Sequence, residues 1–201
     1  TGQSYFGYAQ MTPDVQNYAD FYLRRLVHSL EKPYDPDRFG ESALSRLTNH
    51  MVLDSEVISS ADLEKLRDAT LDDKQLARLI LRLADQIVAC DKFQTRELDI
   101  NIVRALLYLQ RRDPRIDQRI RQYLNGRQLT AIAHEAVSAL DPNDGEDRAF
   151  EIIAALGALV WTVDRAALVF CIDQVEDLRF FDNAEDRFQR AVRDLIQIAN
   201  R

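Results

Sequence analysis

Two spacings of apolar residues alternate along this chain, and the switches between them mark its elements. Close to the amino end, Tyr5, Phe6, Tyr8, Ala9 and Met11 form a short, dense apolar group that reads as a strand. Val15, Tyr18, Ala19, Tyr22, Leu23, Leu26, Val27 and Leu30 follow at helical spacing, leaving Gln16, Asp20, Arg24 and Glu31 for the other side. Thr12 and Pro13 supply the expected helix start, because proline is pre-organised for a first helical position; Pro33 and Pro36 supply the stop.

From Pro33 to about Gly145 the pattern is helical. Ser42 to Leu53 carries Ala43, Leu44, Leu47 and Met51 on one side, and Ser59 with Asp62 reads as a capping box opening a helix through Ala69. Asp72 to Phe93 is the longest helical stretch, and its several apolar faces predict a place at the centre of a bundle. Thr95 can cap the next helix, whose stripe of Leu98, Ile102, Val103, Leu106, Leu107 and Leu109 runs until Pro114. Helices are expected again at Asp117 to Leu124, closed by Asn125 and Gly126, and at Gln128 to Leu140. The DPNDG run at 141–145 is the clearest loop, and no internal repeat emerges.

After that loop, Glu146 to Val163 reads as an apolar helix that hands over to Ala166–Asp177, AALVFCIDQVED. Leu168, Val169, Phe170, Cys171 and Ile172 run unbroken into an acidic corner, the pattern of a strand buried on both faces of a parallel sheet. Such a strand presents its terminal carboxylate at the sheet edge where ligands bind in open α/β folds. Asp182 with Glu185 predicts a capping box, and Ala184, Phe188, Ala191, Val192, Leu195, Ile198 and Ala199 continue as a regular helical stripe. The expected fold is mostly α with a small parallel β component, ordered strand, helix, helical block, helix, strand, helix.

Composition narrows this picture only a little. At 201 residues, with 46% apolar and 29% charged residues, the chain suits one globular domain or a domain with an insertion. A net charge of -7 argues against a surface that binds nucleic acid or anionic membrane over its whole extent. Cys90 and Cys171 both sit in apolar runs, and no stretch of about 18 apolar residues or basic-apolar leader occurs, so a reduced, cytoplasmic chain is the natural expectation.

The run LVFCIDQVEDL resembles the Walker B segment of P-loop ATPases, and its acidic corner especially resembles the STAND group of signal-transduction ATPases within the AAA+-like proteins. The resemblance implies that Asp173 holds Mg²⁺ and that nearby acidic or amide residues position the attacking water. Gln174 stands where many AAA+ proteins carry a catalytic glutamate. A neutral amide orients water but is a poor base, which leaves that role to Glu176 or Asp177, or leaves hydrolysis slow. The opening strand and helix and the last helix also resemble parts of such a core. The chain then divides into a core piece at 1–32, a helical insertion at 33–145 and a Walker B-like piece at 146–201. No G-x-x-x-x-G-K-[ST] phosphate loop is present in these residues. The resemblance therefore implies a partial P-loop NTPase domain, one portion of a larger ATP-hydrolysing switch or motor. Mg²⁺ and ATP would bind the intact parent, and this portion is not expected to be active or to bind nucleotide tightly alone. Its partners would be the remaining parts of that ATPase, with a homo-oligomer as a further expectation.

Other candidates carry less chemistry. Arg111, Arg112, Arg115, Arg119, Arg121 and Arg127 cluster among acidic residues and offer a surface to the phosphates of nucleic acid or to a partner's carboxylates, but such a run is more often a solvated helix face. His28, His50 and His134 lack metal-ligand spacing, no G-x-S-x-G elbow occurs, and Tyr5, Phe6, Tyr8, Tyr18, Phe21 and Tyr22 are spaced for core packing rather than base stacking. Cys171 is expected to be a buried, inert thiol. The alternative to the ATPase reading is a non-catalytic helical protein-interaction domain with a structural acidic corner.

Overall fold

The computed structural model describes residues 4–12, 15–33, 40–93, 98–145, 147–180 and 183–200. Among them lie two parallel strands and nine helices, so the protein is mostly helical with one small sheet. β1 (Ser4–Gln10) leads to α1 (Tyr18–Leu30), then come α2 (Ala43–Asp54), α3 (Ser60–Arg67), α4 (Asp73–Val88), α5 (Ile100–Leu109), α6 (Pro114–Leu124) and α7 (Ala131–Glu135). α8 (Arg148–Asp164) runs into β2 (Ala167–Asp173), and a 3₁₀ turn over Val175–Phe180 precedes α9 (Ala184–Ala199).

Capping chemistry decides where these helices begin. Asn17 accepts from the Asp20 amide, so α1 starts at Tyr18 and Val15 precedes it. Asp113 accepts from the Arg115 amide with Pro114 in the first turn, so Pro114 opens α6 instead of closing the helix before it. At Ser59 the expected reciprocal box is incomplete: Ser59 accepts from the Asp62 amide, while the Asp62 carboxylate takes the Ser59 hydroxyl and Arg82. A full box forms instead at Asp72 and Gln75. The long 72–93 stretch breaks after Val88 into a 3₁₀ turn at Asp91–Phe93. Only Ala131–Glu135 of the expected 128–140 helix forms, and His134 Nε2 folds the following turns back by donating to the Leu140 carbonyl at 2.8 Å. Pro13, Pro36, Thr95, Glu146 and Asp182, given terminal roles above, lie outside the described residues; Asn183 takes the N-cap position of α9 without a side-chain cap bond.

The centre belongs to α8 and α5, not to α4 as the apolar count suggests. α8 buries residues around most of its circumference, including Phe150, Ile152, Leu156, Leu159, Val160 and Val163, and packs against α1, α2, α5 and β2. α4 buries one stripe, from Leu76 to Ile87, mainly against α5. Among the described residues no helix is long and apolar enough to cross a membrane.

The strands pair in parallel from Ser4 opposite Ala167 to Gln10 opposite Asp173. Side chains alternate across a strand, so the register sorts them into two rows. Tyr5, Gly7 and Ala9 are buried beneath α1, with Leu168, Phe170 and Ile172 packed beside them against the core. Tyr22 meets Phe170 edge-on at 5.9 Å between ring centres. The other row is open: Phe6 is 60% exposed and Tyr8 51% exposed, and Ala167, Cys171 and Asp173 are exposed too. This corrects the expectation of a strand buried on both faces, and with it the buried Cys171 and the core role of Phe6 and Tyr8. The physical reason is architectural. The described helices that touch the sheet cover the inward row, and among the described residues β2 has a single strand neighbour.

Candidate functional site

The carboxyl ends of the two strands bring together four polar side chains from two distant parts of the sequence. β2 ends at Asp173, whose main-chain carbonyl accepts from the Met11 amide at 3.0 Å, so both strands stop at the same level. The next residue, Gln174, has φ 59°, a left-handed backbone that a non-glycine residue adopts rarely and at a cost. That turn carries the chain off the sheet into Val175–Phe180 and leaves Asp173 at the rim.

Both oxygens of the Asp173 carboxylate are held. Oδ1 accepts from the Gln174 amide at 2.8 Å, and Oδ2 accepts from the Tyr8 hydroxyl at 2.8 Å. The Tyr8 phenol is correspondingly pushed above its ordinary value, first by that hydrogen bond and then by burial and the Asp173 charge. Beside this pair, Gln10 Nε2 donates to Gln174 Oε1 at 2.6 Å. Glu176 is exposed in the following turn, and no hydrogen bond joins it to Asp173 or Gln174. The side chain of Asp177, the alternative base, lies outside the described residues.

This donor set amounts to one exposed carboxylate, Asp173. A carboxylate offers about four lone-pair sites, of which two are used here. Among the described residues no three His, Cys, Asp or Glu side chains gather into a metal-holding group. A single carboxylate is compatible with Mg²⁺, which binds through one or two carboxylates and draws its remaining ligands from water and substrate phosphates.

Set against models of known families, curated proteins and solved structures, the chain has no match.

The arginines do not converge on this rim. Arg111 donates to the carbonyls of Asp68 and Leu71, Arg115 pairs with Asp113 at 3.0 Å, and Arg121 pairs with Glu31 at 3.0 Å. Arg112 is exposed with φ 57° just before α6, and Arg119 is half-buried on that helix. The histidines are separated as expected. His50 Nδ1 meets Asp164 Oδ1 at 2.6 Å, and Asp164 also accepts from the Tyr5 hydroxyl, a cluster at the opposite end of the strands from Asp173. Of the residues the sequence singled out, Asp173 and Gln174 lie together at this rim, Glu176 stands apart in the next turn, and Tyr8 and Gln10 join the rim without having been picked out for it. Their signal is the period-two alternation of Tyr5, Gly7 and Ala9 against Phe6, Tyr8 and Gln10, which the density of aromatic residues concealed.

Proposed function

We propose that this chain is the metal-facing portion of an ATP-binding and hydrolysing module of the STAND/AAA+-like group, working as part of a larger, cytoplasmic molecular switch or motor. The observation that carries the reading is Asp173, an exposed carboxylate ending the second of two parallel strands, with an acidic and amide-bearing turn directly after it. The uncovered sheet face supports it further, since a strand as apolar as Leu168–Ile172 suits a sheet covered on both sides. In this reading Asp173 would hold Mg²⁺, which supplies charge stabilisation to the β- and γ-phosphates of ATP. Gln174 and Glu176 orient or polarise the attacking water.

The deciding experiment is calorimetry of Mg²⁺-ATP binding. Residues 1–201 are compared with the same chain extended by whatever its gene encodes ahead of Thr1. Binding by the extended form alone, lost in Asp173→Ala, is the expected result. Absence of binding by both forms overturns the reading in favour of a helical protein-interaction domain, for which the exposed Phe6, Phe188 and Ile196 would be the first positions to examine.

A further inference from the structure

We propose that Tyr8 is a positioning residue for the Asp173 carboxylate, fixing it in the orientation that receives a divalent cation; the inference rests on the hydrolase reading above. Strand register sets up the contact. Tyr8 lies opposite Cys171 and Gln10 opposite Asp173, so Tyr8 and Asp173 are diagonal neighbours in the same outward row. Diagonal positions in a strand pair are roughly 7–8 Å apart, beyond the reach of a serine or threonine hydroxyl but within that of a tyrosine. The Tyr8 hydroxyl closes that gap to 2.8 Å.

Packing alone does not account for the placement. Tyr8 is 51% exposed on a face that none of the described helices covers, and its one polar side-chain atom is spent on Asp173. Without that bond, the carboxylate is held by one hydrogen bond, from the Gln174 main-chain amide, and its second oxygen is not fixed. With Oδ1 tied to the Gln174 amide and Oδ2 to Tyr8, the carboxylate plane is set while each oxygen keeps a lone pair for a cation. Groups that hydrogen-bond a metal-ligating carboxylate in this way set its direction, and their loss typically lowers metal affinity 10- to 100-fold. Gln10 acts on the neighbouring residue in the same manner, holding the Gln174 amide from its oxygen side. The outward row of β1 thus changes from apolar to polar as it approaches the rim: Phe6, then Tyr8, then Gln10.

The test is a double-mutant cycle read as binding. ATP affinity is measured by calorimetry with Mg²⁺ and with EDTA on the extended, ATP-competent protein, and the ratio of the two affinities is the readout. Tyr8→Phe is expected to lower that ratio about tenfold, at the lower end of such effects. Asp173→Asn is expected to abolish the Mg²⁺ gain, and Tyr8→Phe to add nothing in the Asp173→Asn background. Thermal unfolding of Tyr8→Phe should match the parent, which separates positioning from loss of fold. An unchanged or raised ratio in Tyr8→Phe overturns the proposal, as does an equal Tyr8→Phe loss when Asp173 is already Asn. A Mg²⁺ gain that survives Asp173→Asn, or no ATP binding by any form, overturns the hydrolase reading and this proposal with it.

Discussion

At the scale of single residues, two positions show how tightly space and charge are matched. Gly7 sits in the inward row of β1, where an added Cβ would come within 2.6 Å of both Leu26 Cδ1 and Phe170 Cδ2. Glycine is required there by room, not by backbone conformation, because it lets α1 lie close against the sheet. Gly7→Ala should therefore destabilise the protein by about 1–3 kcal/mol, the usual cost of overpacking, as read from urea unfolding. Asp117 tests charge. Burial raises its carboxyl above the ordinary value, with Arg121 opposing the shift and Asp113 adding to it. Between the unfolded value near 3.8 and the raised folded value, the folded state binds more protons than the unfolded one. The contribution of Asp117 to stability is thus least favourable at neutral pH and improves as pH falls through the folded value. Asp117→Asn should stabilise the chain near neutral pH, with the gain shrinking near pH 4. A gain that is equal or larger in acid counts against this account.

At the scale of elements, α5 and α9 are opposites. α5 buries Ile102, Val103 and the run Ala105 to Tyr108, where burial pushes the Tyr108 phenol up to about 12. Among the described side chains of α9 only Ala191 is buried, while Phe188 and Ile196 stay exposed. Amide exchange should be slowest in α5 and fast along α9, because opening free energy follows the apolar contacts an element makes. Equal protection of the two helices would contradict that ordering. The stripe of α9 was legible in the sequence, as was α8 after the loop at 141–145, because a 3.6-residue period survives whether or not a partner covers it. The starts of α1 and α6 were harder to read. Each is set by one capping side chain, Asn17 for α1 and Asp113 with Pro114 behind it for α6, a local choice that periodicity does not register. The segment at 128–140 misled for a related reason: its apolar spacing persists through turns that the His134 bond to Leu140 stabilises in place of a helix.

At the scale of the whole molecule, the sequence revealed which residues form the two strands and that Asp173 ends the second. It could not reveal which row of each strand is covered, because Phe6, Val169 and Cys171 are as apolar as the residues facing the core. A net charge of -7 says nothing about the strand ends. Tyr8 and Asp173 stand 165 positions apart, yet their strands pair along their full length. No hairpin can nucleate such a pairing, and closing so long an unfolded loop carries an entropy cost that grows only as the logarithm of its length. Condensation of the intervening helices shortens that gap, because α8 docks on α1, α2 and α5 and brings β2 beside β1, so the helical block is expected to form before the strand pair. On that order the rim at Asp173 is expected among the last parts of the protein to assemble. A lesion deep in the helical block, far from any polar chemistry, would declare itself first as a slow closing step at the strand ends.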